Sequence, residues 1–381
     1  MAVFTVNTTA DEINPNDGIT SLREAIDTAN NSPGEDTILF ELEPDEQTIT
    51  LELILGTLEI TDSVTIVGED GAQITSNTFL GKDADQITVE GDGGSFDIFT
   101  ISNGANVTVT NLTISEGEDG IQVNDGNLEV IDSILTGNDS DGIDIQGNNT
   151  NLNVLGSSFT NNKSDGIHID GDNTNVLVRN STLSENQGQG IDISATDQNV
   201  RVVSSTISKN QESGIKIGSK GENPFEDFIA NDNFVQIFNS RIIDNVTGGN
   251  GGGVNVLGYY NDVLLVNNQI SRNSAEVNGG GIFVDEANTI YLFNNKITYN
   301  IADSNNDGIG YGGGLSISPP AFFLDGPTVV IRGSEITNNI NRNGLFFGSN
   351  IAGKFINFGG NEIGNKSLST YTELIAEFQS L

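Results

Sequence analysis

The sequence predicts an all-β solenoid, one chain wound into coils of three short parallel strands, and three observations predict it. The first is a fixed repeat. Ser133-Ile-Leu-Thr-Gly-Asn138, Ser157-Ser-Phe-Thr-Asn-Asn162, Ser181-Thr-Leu-Ser-Glu-Asn186 and Ser205-Thr-Ile-Ser-Lys-Asn210 share the pattern Ser-x-apolar-x-x-Asn, and the Asn recurs every 24 residues. The second is an alternating run that opens with Gly shortly after each Asn: Gly142-Ile-Asp-Ile145, Gly166-Ile-His-Ile169, Gly190-Ile-Asp-Ile193 and Gly214-Ile-Lys-Ile217. The third is another alternation before the next Asn: Asn151-Leu-Asn-Val154, Asn175-Val-Leu-Val178 and Asn199-Val-Arg-Val202. Period-2 alternation means strand, and a repeat length in the twenties means one coil of a solenoid. Stacked coils place each strand about 4.8 Å from its copy. The fold class is therefore a single-stranded parallel β-helix, right-handed by the general preference of parallel crossovers. Stacking also brings Asn138, Asn162, Asn186 and Asn210 into register as an amide ladder, each side chain donating to one neighbour and accepting from the other.

Composition narrows the partners. The 381 residues carry 53 acidic against 15 basic side chains, a formal net charge of -38. Such a chain repels phosphate backbones and anionic lipid, so neither nucleic acid nor membrane insertion is expected. With no Cys and a single His, disulfide, thiol and zinc chemistry fall away. Acidity of this degree fits secretion, salty surroundings or cation binding. No run approaches the length of a membrane span, and Met1-Ala-Val-Phe-Thr-Val6 lacks the regions of a signal peptide, so export would use a signal other than this segment. Length alone does not impose two domains on a solenoid, because each coil touches only its neighbours. One elongated, monomeric domain is expected.

In chain order, residues 1–36 read as an N-terminal cap. A short strand, Val3 to Val6, precedes Ser21-Leu-Arg-Glu24, a capping box, and Leu22, Ala25, Ile26 and Ala29 line one helical face over 21–30. Pro33-Gly34 stops that helix. Residues 37–366 read as the β-helix. Early, less regular coils are marked by the alternations at 49–53, 58–60, 64–66, 87–89 and 107–109. The most regular coils run over 112–219, and wider ones with loop insertions over 220–366. The wider coils keep Asn245, Asn273, Asn300 and Asn339, and three of them carry Gly triplets at 251–253, 279–281 and 312–314, as tight turns of positive φ would need. Residues 367–381 read as a C-terminal capping helix, since Tyr371, Leu374, Ile375 and Phe378 share one face after Thr370-Tyr-Thr-Glu373.

Two family resemblances sharpen the expectation. Thr20-Ser-Leu-Arg-Glu-Ala25, followed by Ala29-Asn30, Pro33-Gly34 and Asp36-Thr-Ile-Leu-Phe40, resembles the CSLREA segment that precedes right-handed β-helix repeats in bacterial surface and secreted proteins. Thr20 stands where that family has Cys. Phe159-Thr-Asn-Asn162 and its relatives, alternating with the Gly triplets, are similar to the Phe-x-x-Asn and Gly-Gly-Ala-aliphatic repeats of polymorphic outer membrane proteins. Those are β-helical adhesins. Here the third Gly replaces Ala, and no barrel follows. The resemblances imply a cell-surface or extracellular protein whose partner is a polysaccharide or surface glycan.

Chemistry has four candidate places. In Gly-Ile-x-Ile the isoleucines point inward, so Gln122, Asp144, His168, Asp192 and Lys216 form an outward column. Asp144, His168, Asp192 and Lys216 are residue types that proton abstraction beside a uronate requires: a base, an acid and a cation for the enolate. Pectate-lyase-like enzymes place sites on such a face. The plainer reading is a solvated face, which any solenoid must show. The polygalacturonase likeness of Ser140-Asp-Gly-Ile-Asp144 lacks that family's adjacent Asp pair, so hydrolysis has little support. Calcium is the expected ligand, with no organic cofactor. Asp303-Ser-Asn-Asn-Asp-Gly308 matches the opening of a calcium loop through Asp303, Asn305 and Asp307, although Gly314 occupies the twelfth position. Asp119, Asp141 and Asp165 stack at successive turns and repel unless a cation separates them. For both, a polar Asn/Asp/Gly turn is the competing account. Finally, 19 of the 25 Phe and Tyr lie after residue 220. Bulkier cores explain most of them. The pairs Tyr259-Tyr260 and Phe322-Phe323 must each turn one ring outward in a strand, where it could stack on a sugar.

Together these features favour a non-catalytic adhesin, carbohydrate-binding surface or spacer, stiffened by calcium. The alternative is a polysaccharide lyase or uronate epimerase working along the Gly-Ile-x-Ile face.

Overall fold

The protein is described by a computed structural model covering residues 1–381 except 44–46, 71–72, 76–77, 81–85, 220–230, 321–325, 343–348, 365–372 and 376–381. It is a right-handed parallel β-helix, and its coils fall into two compact units, Met1–Val176 and Leu177–Leu381. The boundary lies inside the strand Asn175–Arg179, where the sequence repeat continues unbroken.

In the first unit each coil gives one strand to each of three sheets. Sheet one contains Val64–Asp70, Ala105–Thr110, Gly126–Ile131 and Asn151–Leu155. Sheet two contains Leu112–Ser115, Ile134–Thr136 and Ser158–Thr160. Sheet three contains Phe99–Ile101, Ile121–Val123, Ile143–Ile145 and Ile167–Ile169. All of these pairings are parallel and in register, Ile143 on Ile167 and Ile145 on Ile169 for example. The inward residues are buried, Leu135, Phe159, Ile143 and Ile167 at 0% exposure, as the alternation requires.

The N-terminal helix Leu22–Asn30 closes this unit. Its capping box forms as expected, with Ser21 accepting from the Glu24 backbone N–H and Glu24 accepting from that of Ser21. Leu22, Ala25, Ile26 and Ala29 are buried. The structure adds the role of Arg23. Its guanidinium donates to both oxygens of Asp11 at 2.8 Å and to the carbonyls of Thr57 and Gly56, so it ties the cap to the first coil.

In the second unit sheet one holds Asn199–Val203, Phe234–Phe238, Asp262–Val266, Thr289–Phe293 and Thr328–Arg332, and sheet three holds Ile215–Ile217, Val254–Val256, Ile282–Val284 and Leu315–Ile317. The wider coils add a fourth sheet of two-residue strands: Val246–Thr247, Ser274–Ala275, Ile301–Ala302 and Ile340–Asn341. Two residues are too few to show a period, so the sequence gives no sign of it. In the Gly triplets only the leading residue has positive φ, as in Gly251 (66°), Gly279 (63°) and Gly312 (63°). The others are demanded by proximity: a Cβ on Gly253 would lie 2.5 Å from the Gly281 carbonyl oxygen.

The expected C-terminal helix is corrected where the segment is described. Glu373–Ile375 is a strand, parallel to Phe355–Asn357. A strand satisfies the open N–H and C=O groups of the preceding strand directly, which a helix laid over them cannot do. The rest of 367–381 lies outside the described residues.

The amide ladder forms in both units. Asn138 donates through Nδ2 to Asn162 Oδ1 at 2.9 Å. In the second unit the chain of side chains runs Asn186, Asn210, Asn245, Asn273, Asn300, Asn339, with Nδ2 to Oδ1 distances of 2.9 to 3.0 Å. Each Oδ1 also accepts the backbone N–H of the Asn before it, as Asn273 does from Asn245 at 3.0 Å. Replacing Asn245 by Ala strands buried groups on Asn210 and Asn273, and should cost about 2–3 kcal/mol. Asn127→Ala, on the exposed outer ladder with Asn106 and Asn151, should change stability by less than about 0.5 kcal/mol. Urea midpoints of the two variants distinguish them. Arg23→Ala leaves the Asp11 carboxylate buried without its counter-charge and should cost about 3–5 kcal/mol by the same measurement.

Candidate functional site

Parallel register makes the outward column of sheet three. In the first unit Gln122 stands on Asp144 and Asp144 on His168. In the second, Asp192 stands on Lys216 and Lys216 on Asn255. The residues singled out from sequence therefore divide between units, Asp144 and His168 in the first and Asp192 and Lys216 in the second.

In the second unit Lys216 is already engaged. Its Nζ donates to Asp192 Oδ2 at 2.8 Å and to Ser194 Oγ at 3.3 Å, and Ser194 donates to Asp192 Oδ1 at 2.9 Å. The ammonium is neutralised within its own sheet.

The first unit gathers a different group. Among the described residues, donor atoms of Asp141, Asp144 and His168 lie within 4.8 Å of one another. His168 Nδ1 is 3.5 Å from Asp141 Oδ2 and 3.5 Å from Asp144 Oδ1. Asp144 is buried; its Oδ2 accepts from Gln146 Nε2 at 2.7 Å, and its Oδ1 has no hydrogen-bond partner. A buried carboxylate oxygen without a hydrogen is costly unless a cation or proton meets it. The bend before this strand adds to the negative charge. Asp119 donates its backbone N–H to Asp97, Asp141 to Asp119 and Asp165 to Asp141, at 3.1, 2.8 and 2.6 Å.

That ladder changes the account of Asp119, Asp141 and Asp165. The carboxylates of Asp119 and Asp141 each accept a backbone N–H of the following coil, and Asp141 also comes together with Asp144 and His168. Burial pushes the Asp119 carboxyl up to about 7, with the charges of Asp141, Asp144 and Asp97 adding to the rise against the N–H of Asp141. Burial likewise raises Asp144, opposed by the Gln146 hydrogen bond and by His168, and it raises Asp97.

The other candidates are placed as follows. Asp303 is fully buried; its Oδ1 accepts from the Gly308 N–H at 3.2 Å, and its Oδ2 has no hydrogen-bond partner. Asn305 and Asp307 are exposed and bonded to each other, Nδ2 to Oδ2 at 3.1 Å. Tyr259 is buried and Tyr260 is 55% exposed at a bend of φ 63°. Phe322 and Phe323 lie outside the described residues. The sequence reading missed the rings that face outward from sheet one in the second unit, Phe234, Phe238, Tyr291 and Phe293. They sit at alternate strand positions, so the signal was present in the period-2 pattern.

Comparisons with known proteins agree with this architecture. Residues 62–229 match the family model described as the right handed beta helix region. Among solved structures, the A-module of the mannuronan C-5 epimerase AlgE6 from Azotobacter vinelandii is similar at 16% identity and a TM-score of 0.61, over 93% of this chain and 91% of that one. The Dettilon tailspike protein gp208 is similar at 14% identity and a TM-score of 0.58, over 97% and 68%. No curated protein matches the sequence. At these identities the likeness is one of fold, and it defines the class: a right-handed parallel β-helix. No helix among the described residues is long and apolar enough to cross a membrane.

The raised carboxyl at Asp119 has a direct consequence for stability. Between the carboxyl's unfolded pKa near 4 and its folded value of about 7, the folded state holds a proton that the unfolded state has released. Stability therefore falls as pH rises through that window and levels above it. Asp119→Asn keeps an oxygen for the Asp141 N–H and removes the titration. The variant should show a flatter melting temperature between pH 4 and 7 and a higher one at pH 8, read by circular dichroism.

Proposed function

We propose that this chain is an extracellular glycan-binding β-helix protein that does not turn its ligand over, and that a divalent cation is held at Asp141, Asp144 and His168. The observation that supports this reading is the condition of the polar column on sheet three. Abstraction of a proton beside a uronate needs a cation free to meet the developing enolate. Lys216, which the column offers, is held by Asp192 and Ser194. The cluster of the first unit is net negative and would repel a uronate carboxylate, unless a metal ion reversed its sign.

The Asp144 Oδ1, which makes no hydrogen bond and has His168 Nδ1 at 3.5 Å, supports the cation. Two carboxylates are hard ligands of the kind calcium takes, while the imidazole shifts preference toward manganese or zinc. Calcium at the Asp303 loop is a separate part of the reading, supported by the buried Asp303 Oδ2. A catalytic reading as a uronate lyase or epimerase has one feature in its favour: burial raises the Asp119 carboxyl to about 7, and its neighbour Asp141 belongs to the cluster with His168. The mannuronan C-5 epimerase shows that the fold can house such chemistry.

The test is retention on immobilised acidic and neutral polysaccharides with calcium, with manganese and with chelator, while following absorbance of unsaturated uronate products. Retention without product, weakened by chelator and by Asp144→Asn and indifferent to Lys216→Ala, is the expected result. Product formation that disappears in Lys216→Ala would overturn the non-catalytic reading.

A further inference from the structure

The outward face of sheet one in the second unit is unlike the rest of this acidic chain. Register fixes three parallel columns on it. The first is Asn199, Phe234, Asp262, Thr289 and Thr328. The second is Arg201, Gln236, Leu264, Tyr291 and Val330. The third is Val203, Phe238, Val266, Phe293 and Arg332. A protein with 53 acidic and 15 basic residues thus places one carboxylate and two guanidiniums on this face, and eight of its fifteen positions are aromatic or aliphatic, of which Val330 is buried. Solubility alone would favour the reverse. Two of the three corresponding columns of the first unit are polar, Thr108, Glu129 and Asn153 in one and Asn106, Asn127 and Asn151 in another, while the third, Thr110, Ile131 and Leu155, is aliphatic but carries no aromatic ring.

The arginines are exposed, and no ion pair holds either of them among the described residues. Arg201 lies over the Phe238 ring at 5.2 Å from its centroid. Tyr291 is 37% exposed and meets Phe293 with ring centroids 6.1 Å apart, tilted by 48°. A third exposed arginine, Arg179, ends the preceding strand, where the next residue, Asn180, donates to the Val203 carbonyl. Between Arg201 and Arg332 lie four strand spacings, about 19 Å.

We propose that this face docks an acidic polysaccharide running across the strands, its carboxylates meeting Arg201 and Arg332 and its sugar faces lying on Phe238, Tyr291 and Phe293. The chemistry favours that ligand for three reasons. Aromatic rings spaced along a flat surface match the apolar faces of successive pyranoses. Guanidinium groups pair with carboxylate in a bidentate fork. The pairing also explains how a chain of charge -38 can hold a polyanion, since attraction is confined to a face on which two guanidiniums stand against the single carboxylate of Asp262.

This inference rests on the glycan-binding reading and names the ligand class and the surface. The experiment measures affinity for polymannuronate and polygalacturonate oligomers by titration calorimetry at 0.1 M salt, with neutral dextran as control. The probes are wild type, Arg201→Gln/Arg332→Gln, Tyr291→Ser and Glu129→Gln, with circular dichroism to confirm folding. The arginine double variant should lose about tenfold in affinity and Tyr291→Ser about threefold to tenfold, while Glu129→Gln stays at the wild-type value. Uronate binding that is unchanged in both face variants would overturn the assignment of this surface and leave the glycan reading intact. Absence of binding to any polysaccharide would sink both. A dimer in sedimentation that the arginine double variant dissociates, without uronate binding, would assign the face to a second copy of the chain instead.

Discussion

Every coil of this protein must bend between its sheets with backbone N–H groups aimed at an interior that water does not reach, and stacked side chains of the adjoining coil satisfy them. At the bend after sheet two the acceptor is Asn from Asn138 onward. Its amide both accepts the backbone N–H of the neighbouring coil and passes a side-chain bond along, so one residue type repeated at one position satisfies an unlimited stack. At the bend after sheet one the same task falls to Ser or Asn. Ser181 donates its backbone N–H to Ser205, Ser205 to Ser240, Ser240 to Asn268 and Asn268 to Asn295. At the third corner of the second unit Gln198 donates to Asn233, Asn233 to Asn261 and Asn261 to Asn288. The bends also hold residues such as Glu185, Lys209, Arg272 and Tyr299 at positive φ. The corner dictates that conformation, whatever the side chain.

Once corners and inward positions are committed, the outward positions are free, and the chain uses that freedom unevenly. Sheet three of the first unit and the bend before it gather Asp141, Asp144 and His168. Sheet one of the second unit gathers arginines and rings. Each is built by register: a residue acquires its neighbours from the coils on either side, not from its own segment. A change of one position along a strand would turn it into the core.

The aspartate ladder shows how a structural device can also become a chemical one. Asp119 and Asp141 accept a backbone N–H just as the asparagines do. An asparagine would do the same without charge. Buried carboxylates instead hold protons more tightly, first by desolvation and then by one another's charge, which is visible in the upward displacement of Asp97, Asp119 and Asp144. Retaining acids at a position where amides serve elsewhere in the chain costs stability at neutral pH, and a bound cation would offset that cost.

Much of this was legible from residues alone. The period of 24 gives the coil, the alternations give its strands, the recurrent Asn gives the inner ladder, and Ser21 with Glu24 gives the cap. These succeed because each depends on a pattern repeated along the chain or confined to one helical turn. The fourth sheet was hidden because its strands hold two residues each. The C-terminal amphipathic spacing was misleading, because an open strand edge competes for those residues. Asp303, Asn305 and Asp307 matched a motif, yet one is buried and two are exposed, since burial belongs to the coil and not to the loop sequence. By itself, then, the sequence determined the fold, the corners and the inward faces, where spacing is the physical cause. The tertiary structure alone decided which outward side chains meet, placing His168 between Asp141 and Asp144 and Arg201 over Phe238, because those contacts join residues a whole coil or more apart through the register of the sheets.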